Sequence, residues 1–193
     1  MRLFVAVTPG RDALTRLSTT IDRLRRHAPS SRWVKVDGLH LTLAFLGERD
    51  PADAPKIADA LAAATSTHAP FTLRLRGGGA FGRPGRPRVL WVGCEGDTGA
   101  LEALFRGVAA ALAPLGYAPD RYTFTPHLTL CRAREQGGDR ELARCAELLR
   151  DEDFGEVRVL EVALYESKLS PAGAAYTVVS GAALGGSATP SPS

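Results

Sequence analysis

With 193 residues, 45% of them hydrophobic and 23% charged, the chain is long enough for one folded body with its own core and too short for two large independent domains. This composition excludes a disordered chain, and no apolar run approaches the ~20 residues of a membrane span. A formal net charge of +3 suits an anionic ligand without demanding one.

Residues 2–8 read as a strand. The apolar run Leu3–Val7 is too short for a secretory signal and meets Pro9-Gly10 at once, so a cytoplasmic protein is expected. Leu14, Leu17, Ile21 and Leu24 then recur at helical spacing up to His27. Trp33–Val36 and Leu39–Leu46 read as neighbouring strands separated by Asp37-Gly38. An alanine-rich helix carrying Ile57 and Leu61 follows, and then a strand from Phe71 to Leu75.

Residues 77–88, rich in Gly, Pro and Arg, read as an exposed basic loop leading to a strand at Val89–Val92. Gly77–Gly82 fits G-x-G-x-x-G, but the segment runs into Arg83-Pro84 instead of opening a helix, which argues against a dinucleotide fingerprint. A helix capped at Asp97 or Thr98 is predicted through Leu112, a strand over residues 125–132, and a helix capped by Asp139 with Leu142, Cys145 and Leu149 on its inner face. Two closing strands are expected, Val157–Ser167 and Ala175–Val179. The domain is placed at residues 1–181, and residues 182–193 at a disordered Gly/Ser/Pro tail. Cys94, Cys131 and Cys145 form no C-x-x-C and read as free thiols.

One internal repeat stands out. His40-Leu41-Thr42-Leu43 and His127-Leu128-Thr129-Leu130 are identical and use two of the chain's four histidines. In a strand, His and Thr at i and i+2 share one face while the leucines take the other. If two lobes oppose these faces, two imidazoles and two hydroxyls form a cup for one phosphoryl group. Such a pair can act as base and acid near neutral pH, the hydroxyls can bind non-bridging oxygens, and Arg132 is well placed to neutralise charge. Trp33, Trp91 and Tyr122 are candidates for base stacking or core; Arg121, Arg134, Lys168 and the 82–88 arginines are candidates for backbone contacts or plain surface.

The sequence resembles the 2H phosphoesterase superfamily, in its RNA 2′,3′-cyclic phosphodiesterase (2′-5′ RNA ligase) branch. Both tetrapeptides carry the resemblance, with Arg2–Ala6, Trp33-Val34-Lys35, Phe45-Leu46-Gly47, Val89–Gly93, Phe124-Thr125-Pro126, Arg132 and Ser167-Lys168-Leu169 with Gly173 and Tyr176. It implies an α+β fold of two pseudo-symmetric lobes, each an antiparallel sheet flanked by helices, with a central cleft. It also implies an enzyme acting on RNA 3′ ends or nucleotides with 2′,3′-cyclic phosphates; the residues call for no metal or cofactor, and a monomer is expected although the sequence does not fix the oligomeric state. His40 is then the acid that protonates the 3′-oxygen and His127 the base that activates water; Thr42, Thr129 and Arg132 contact the phosphate, and Phe4 lines the cleft. An RNA-end binder without turnover and a metallohydrolase are the competing readings, and reversible ligation is a minor activity of the same site.

Overall fold

The computed structural model describes residues 1–118, 124–170 and 173–186. Arg121 and Tyr122, and the expected tail from residue 187 onward, lie outside the described residues. Nine strands and four helices follow in the order β1 (Arg2–Val7), α1 (Arg11–Arg25), β2 (Arg32–Trp33), β3 (Leu41–Glu48), α2 (Ala54–Thr65), β4 (Phe71–Arg83), β5 (Arg86–Gly96), α3 (Thr98–Leu112), β6 (His127–Arg132), α4 (Arg140–Leu149), β7 (Asp153–Val159), β8 (Glu161–Ser170) and β9 (Gly173–Ala183) among the described residues.

Every strand pair is antiparallel. The order is β7-β4-β5-β6-β3-β1-β8-β9, with β2 added to β6. This is two half-sheets of four strands, each contributing one motif strand to the middle. The halves meet between β6 and β3 at one paired position, Leu41 opposite Leu128. Helices α2 and α3 pack together and cover β3, β8 and β9, whereas α1 and α4 cover β4, β5 and β7. The α+β architecture with two similar lobes is therefore as the sequence led us to expect.

The helices form where their apolar spacing allows one face to be buried. Leu17, Ile21 and Leu24 of α1, and Leu142, Cys145 and Leu149 of α4, are at most 1% exposed. The Asp139 carboxylate accepts a hydrogen bond from the Glu141 amide at 2.9 Å and so caps α4. Residues 98–115 are apolar enough by composition to resemble a membrane span. Within the fold, Leu101, Leu104, Val108 and Leu112 are fully buried against α2 and the sheet.

Four expectations are corrected. Residues 77–88 are not a loop: β4 continues to Arg83 and β5 starts at Arg86, leaving only Pro84-Gly85 to turn the hairpin. The glycines belong to the strand because other groups occupy their side-chain space. A Cβ on Gly78 would lie 2.7 Å from both Leu149 Cβ and the Trp91 carbonyl oxygen, and one on Gly79 2.6 Å from the Trp91 ring. Next, β2 does not neighbour β3; a 3₁₀ turn at Val36–Gly38 separates them, and β2 pairs with β6. Third, the strand expected over Val157–Ser167 is two, broken at the half-exposed Leu160, where the chain leaves β4 for β1. Finally, the ordered chain does not stop at Gly181. β9 reaches Ala183, Leu184 is buried, and its amide donates to the Leu160 carbonyl.

Candidate active site

His40 immediately precedes β3 and His127 opens β6. Continuing the Leu41–Leu128 register sets His40 beside Thr129 and Thr42 beside His127. The leucines point inward at 1–2% exposure, so the four polar side chains share the opposite face.

The two imidazoles are held in matching ways. His40 Nδ1 lies 2.7 Å from the Gly38 carbonyl oxygen and His127 Nδ1 2.7 Å from that of Thr125. A carbonyl oxygen only accepts, so in both rings Nδ1 carries the proton and donates; Nε2 is the atom left to exchange one. His40 sits against Phe4, with ring centroids 4.7 Å apart, and against the edge of Tyr176 at 5.2 Å. His127 meets Phe81 edge-on at 4.9 Å and Trp91 at 6.3 Å. Burial lowers both pKa values below the usual 6.5, against the raising effect of the carbonyl hydrogen bonds. The positive charge of Arg132 adds to the lowering in both, and His127 adds to it in His40.

Arg132 reaches this face only because β6 is bulged. From His127, strict alternation would put residue 132 with the leucines. The β5–β6 register instead passes from Cys131 opposite Leu90 to Thr129 opposite Trp91. Leu130 and Cys131 are consequently both buried, and Arg132 emerges on the histidine side. The first motif repeats the device. β1–β3 pairing passes from Ala44 to Thr42, Leu43 and Ala44 are both buried, and Phe45 emerges 57% exposed. Phe45 is thus the counterpart of Arg132 under the pseudo-symmetry, one apolar and the other cationic.

A cleft of about 790 Å³ opens beside His40, and Phe4, Trp33, Phe45, Tyr176 and Arg132 contribute to its walls. A second cavity, of about 660 Å³, adjoins the Phe81 side; Arg32 and Arg132 border both. The predicted residues His40, His127, Thr42, Thr129 and Arg132 therefore come together, and Phe4 lies beneath the His40 ring and stacks on Tyr165. Trp33 donates its indole N–H to the Ala28 carbonyl at 2.9 Å, and Lys168 pairs with Glu166 at 3.5 Å. Sequence reasoning missed Arg32, Phe45, Phe81 and Tyr176 as cleft residues. Phe45 alone had a local signal, its shared offset with Arg132 from a motif histidine.

Of the remaining histidines, His27 is exposed and His68 packs between α2 and Gly107 of α3. Burial pushes the thiols of Cys94 and Cys131 up to about 12 and that of Cys145 to about 11, so none supplies a thiolate near neutral pH. Among the described residues no three His, Cys, Asp or Glu side chains gather as metal ligands.

The two imidazoles thus stand one from each half-sheet where the halves meet, each held through Nδ1 by a backbone carbonyl. The sequence model of the 2′-5′ RNA ligase superfamily matches residues 13–170, and the chain belongs to that family. An RNA 2′,3′-cyclic phosphodiesterase of Aeropyrum pernix is 35% identical over 83% of this chain and 90% of its own. The enzyme of the same name from Aquifex aeolicus is 36% identical over 80% and 82%. Among solved structures, TT0787 of Thermus thermophilus superposes with a TM-score of 0.80 at 32% identity, covering 96% of this chain and 99% of that one. E. coli LigT complexed with 3′-AMP superposes with a TM-score of 0.73 at 27% identity, covering 95% and 97%.

Proposed function

We propose that this protein opens the 2′,3′-cyclic phosphate at an RNA end to a 2′-phosphomonoester, with His40 as general acid and His127 as general base. The observation that carries this reading is the pair of imidazoles tied through Nδ1 to carbonyls two residues upstream, which leaves both Nε2 atoms for proton transfer at one phosphorus. The names of the relatives above support the same reaction.

The neutral His127 Nε2 takes a proton from water as its oxygen attacks phosphorus. The bond from phosphorus to the ribose 3′-oxygen breaks, and that oxygen receives the proton of the His40 imidazolium. Thr42 and Thr129 donate to the non-bridging oxygens, and Arg132 offsets the charge that gathers there. The assignment of acid and base follows the cavities. His40 lines the cleft whose aromatic walls suit a nucleoside, and His127 does not. The leaving oxygen belongs to the ribose, so the acid stands on the ribose side. Ligation is the same step with the 5′-hydroxyl of another strand in place of water.

Phosphorus NMR of a 2′,3′-cyclic dinucleotide tests the scheme. Wild type should yield only the 2′-phosphomonoester, and His40→Ala and His127→Ala should each lose ~10²–10⁴-fold in rate. Thr42→Ala should lose about tenfold, as befits one hydrogen bond. Replacing the 3′-oxygen by sulfur makes a leaving group that needs no proton, so it should restore His40→Ala and leave His127→Ala inactive. Full activity in either histidine variant would end the proposal, and rescue of His127→Ala instead would exchange the two roles.

A further inference from the structure

We propose that the cavity of about 660 Å³ beside Phe81 and Arg132 is a subsite for the phosphodiester that joins the terminal ribose to the preceding nucleotide, so that the protein reads an RNA chain and not merely a cyclic mononucleotide. This rests on the cyclic-phosphate reading and adds to it a second anion site outside the cup.

The walls of the cavity include Arg32, Arg88, Arg132, Arg134, Glu135 and Gln136. Four guanidinium groups thus face one carboxylate. The β2–β6 ladder places Arg32 directly opposite Arg132, an arrangement of like charges that destabilises a sheet unless an anion lies between them. Arg88 joins the same rim, because its carbonyl accepts the Ala133 amide at 2.8 Å on the other side of β6. Arg134 donates Nε to the Ser30 carbonyl at 3.2 Å, which leaves its terminal nitrogens available. Among the described residues none of these four arginines forms an ion pair, whereas Arg23, Arg74 and Arg106 elsewhere each do.

Position supplies the second half of the case. Arg32 and Arg132 border both cavities, so a nucleoside held in the His40 cleft has the arginine-rich one as its neighbour. Guanidinium forks match phosphate oxygens in geometry as well as charge. A cyclic mononucleotide lacking a 5′-phosphate leaves this cavity unused.

The test compares two dinucleotides that end in a 2′,3′-cyclic phosphate and differ only in the internal linkage, one an anionic phosphodiester and the other a neutral methylphosphonate. Wild type should favour the anionic substrate in kcat/KM by about tenfold or more, the effect of one charge-assisted hydrogen bond. Arg88→Ala should reduce that preference, and Arg88→Ala combined with Arg134→Ala should bring it to within about twofold of unity. Arg88 is exposed and has no side-chain hydrogen bond among the described residues, so the single variant keeps the fold. The slope of log kcat/KM against log salt should become shallower for the anionic substrate only. A wild-type preference near one, or a preference the variants do not alter, overturns the subsite. If wild type turns over neither substrate, the cyclic-phosphate reading fails by itself. Fluorescence anisotropy of the same two linkages in dinucleotides ending in a 2′-phosphate then decides the subsite through the ratio of their Kd values.

Discussion

An imidazole whose Nδ1 donates to a backbone carbonyl can change charge only at Nε2, and burial decides at which pH it does so. For His40 and His127 burial outweighs the carbonyl bonds and moves both pKa values below 6.5, with Arg132 pushing the same way. The imidazolium form of either ring is thus the majority species only on the acid side of 6.5 in the free protein. One ring must be neutral and its partner protonated, so kcat/KM should follow a bell centred below pH 6.5. A bound phosphate anion stabilises an imidazolium, so the alkaline limb of kcat should lie at higher pH than that of kcat/KM. Steady-state rates on a cyclic dinucleotide between pH 4.5 and 9 would measure both limbs. A kcat/KM that rises through pH 7 and keeps rising would contradict the paired mechanism.

Elements, more than single side chains, determine how this cup is aimed. The histidines, threonines and anchoring leucines were legible in the sequence because they need only alternation and a repeat. Arg132 was not legible from alternation, which assigns it to the buried side; the β-bulge that turns it outward has no signature in Leu130-Cys131, two apolar residues like any others. The 77–88 segment misled for the converse reason. Its glycines signal a loop by composition, yet they are required by the packing of α4 and Trp91 over β4. This makes Gly78→Ala a specific test of the element. The new Cβ would meet the Trp91 carbonyl oxygen as well as Leu149 at 2.7 Å, and a backbone atom cannot yield as a side-chain tip does. Thermal unfolding followed by circular dichroism should show a loss of about 1–3 kcal/mol, as overpacking of a filled site costs. An unchanged Tm would mean that α4 can retreat from β4. Gly85→Ala, at the hairpin turn with φ of +72° and open space around it, serves as the comparison in which only backbone strain acts.

At the scale of the whole molecule the question is whether two half-sheets joined at one paired position behave as two folding units. The path of the chain argues that they do not. Helix α1 leaves β1 in one half and packs on β7 in the other, where Arg23 reaches Glu152 at 2.6 Å; α3 leaves β5 and returns to pack on β3. The chain crosses again from β7 to β8. Each half is therefore covered by a helix whose preceding strand belongs to the other, and neither half can bury its apolar face alone. Unfolding should be a single cooperative transition. Both tryptophans, Trp33 on β2 and Trp91 on β5, lie in the β6 half, so their fluorescence reports that half while far-ultraviolet circular dichroism reports the whole. In urea the two signals should superimpose, with one midpoint and one slope. Curves that separate would show the halves melting independently, and a cup assembled from one histidine of each would then depend on a contact that can open without unfolding either side.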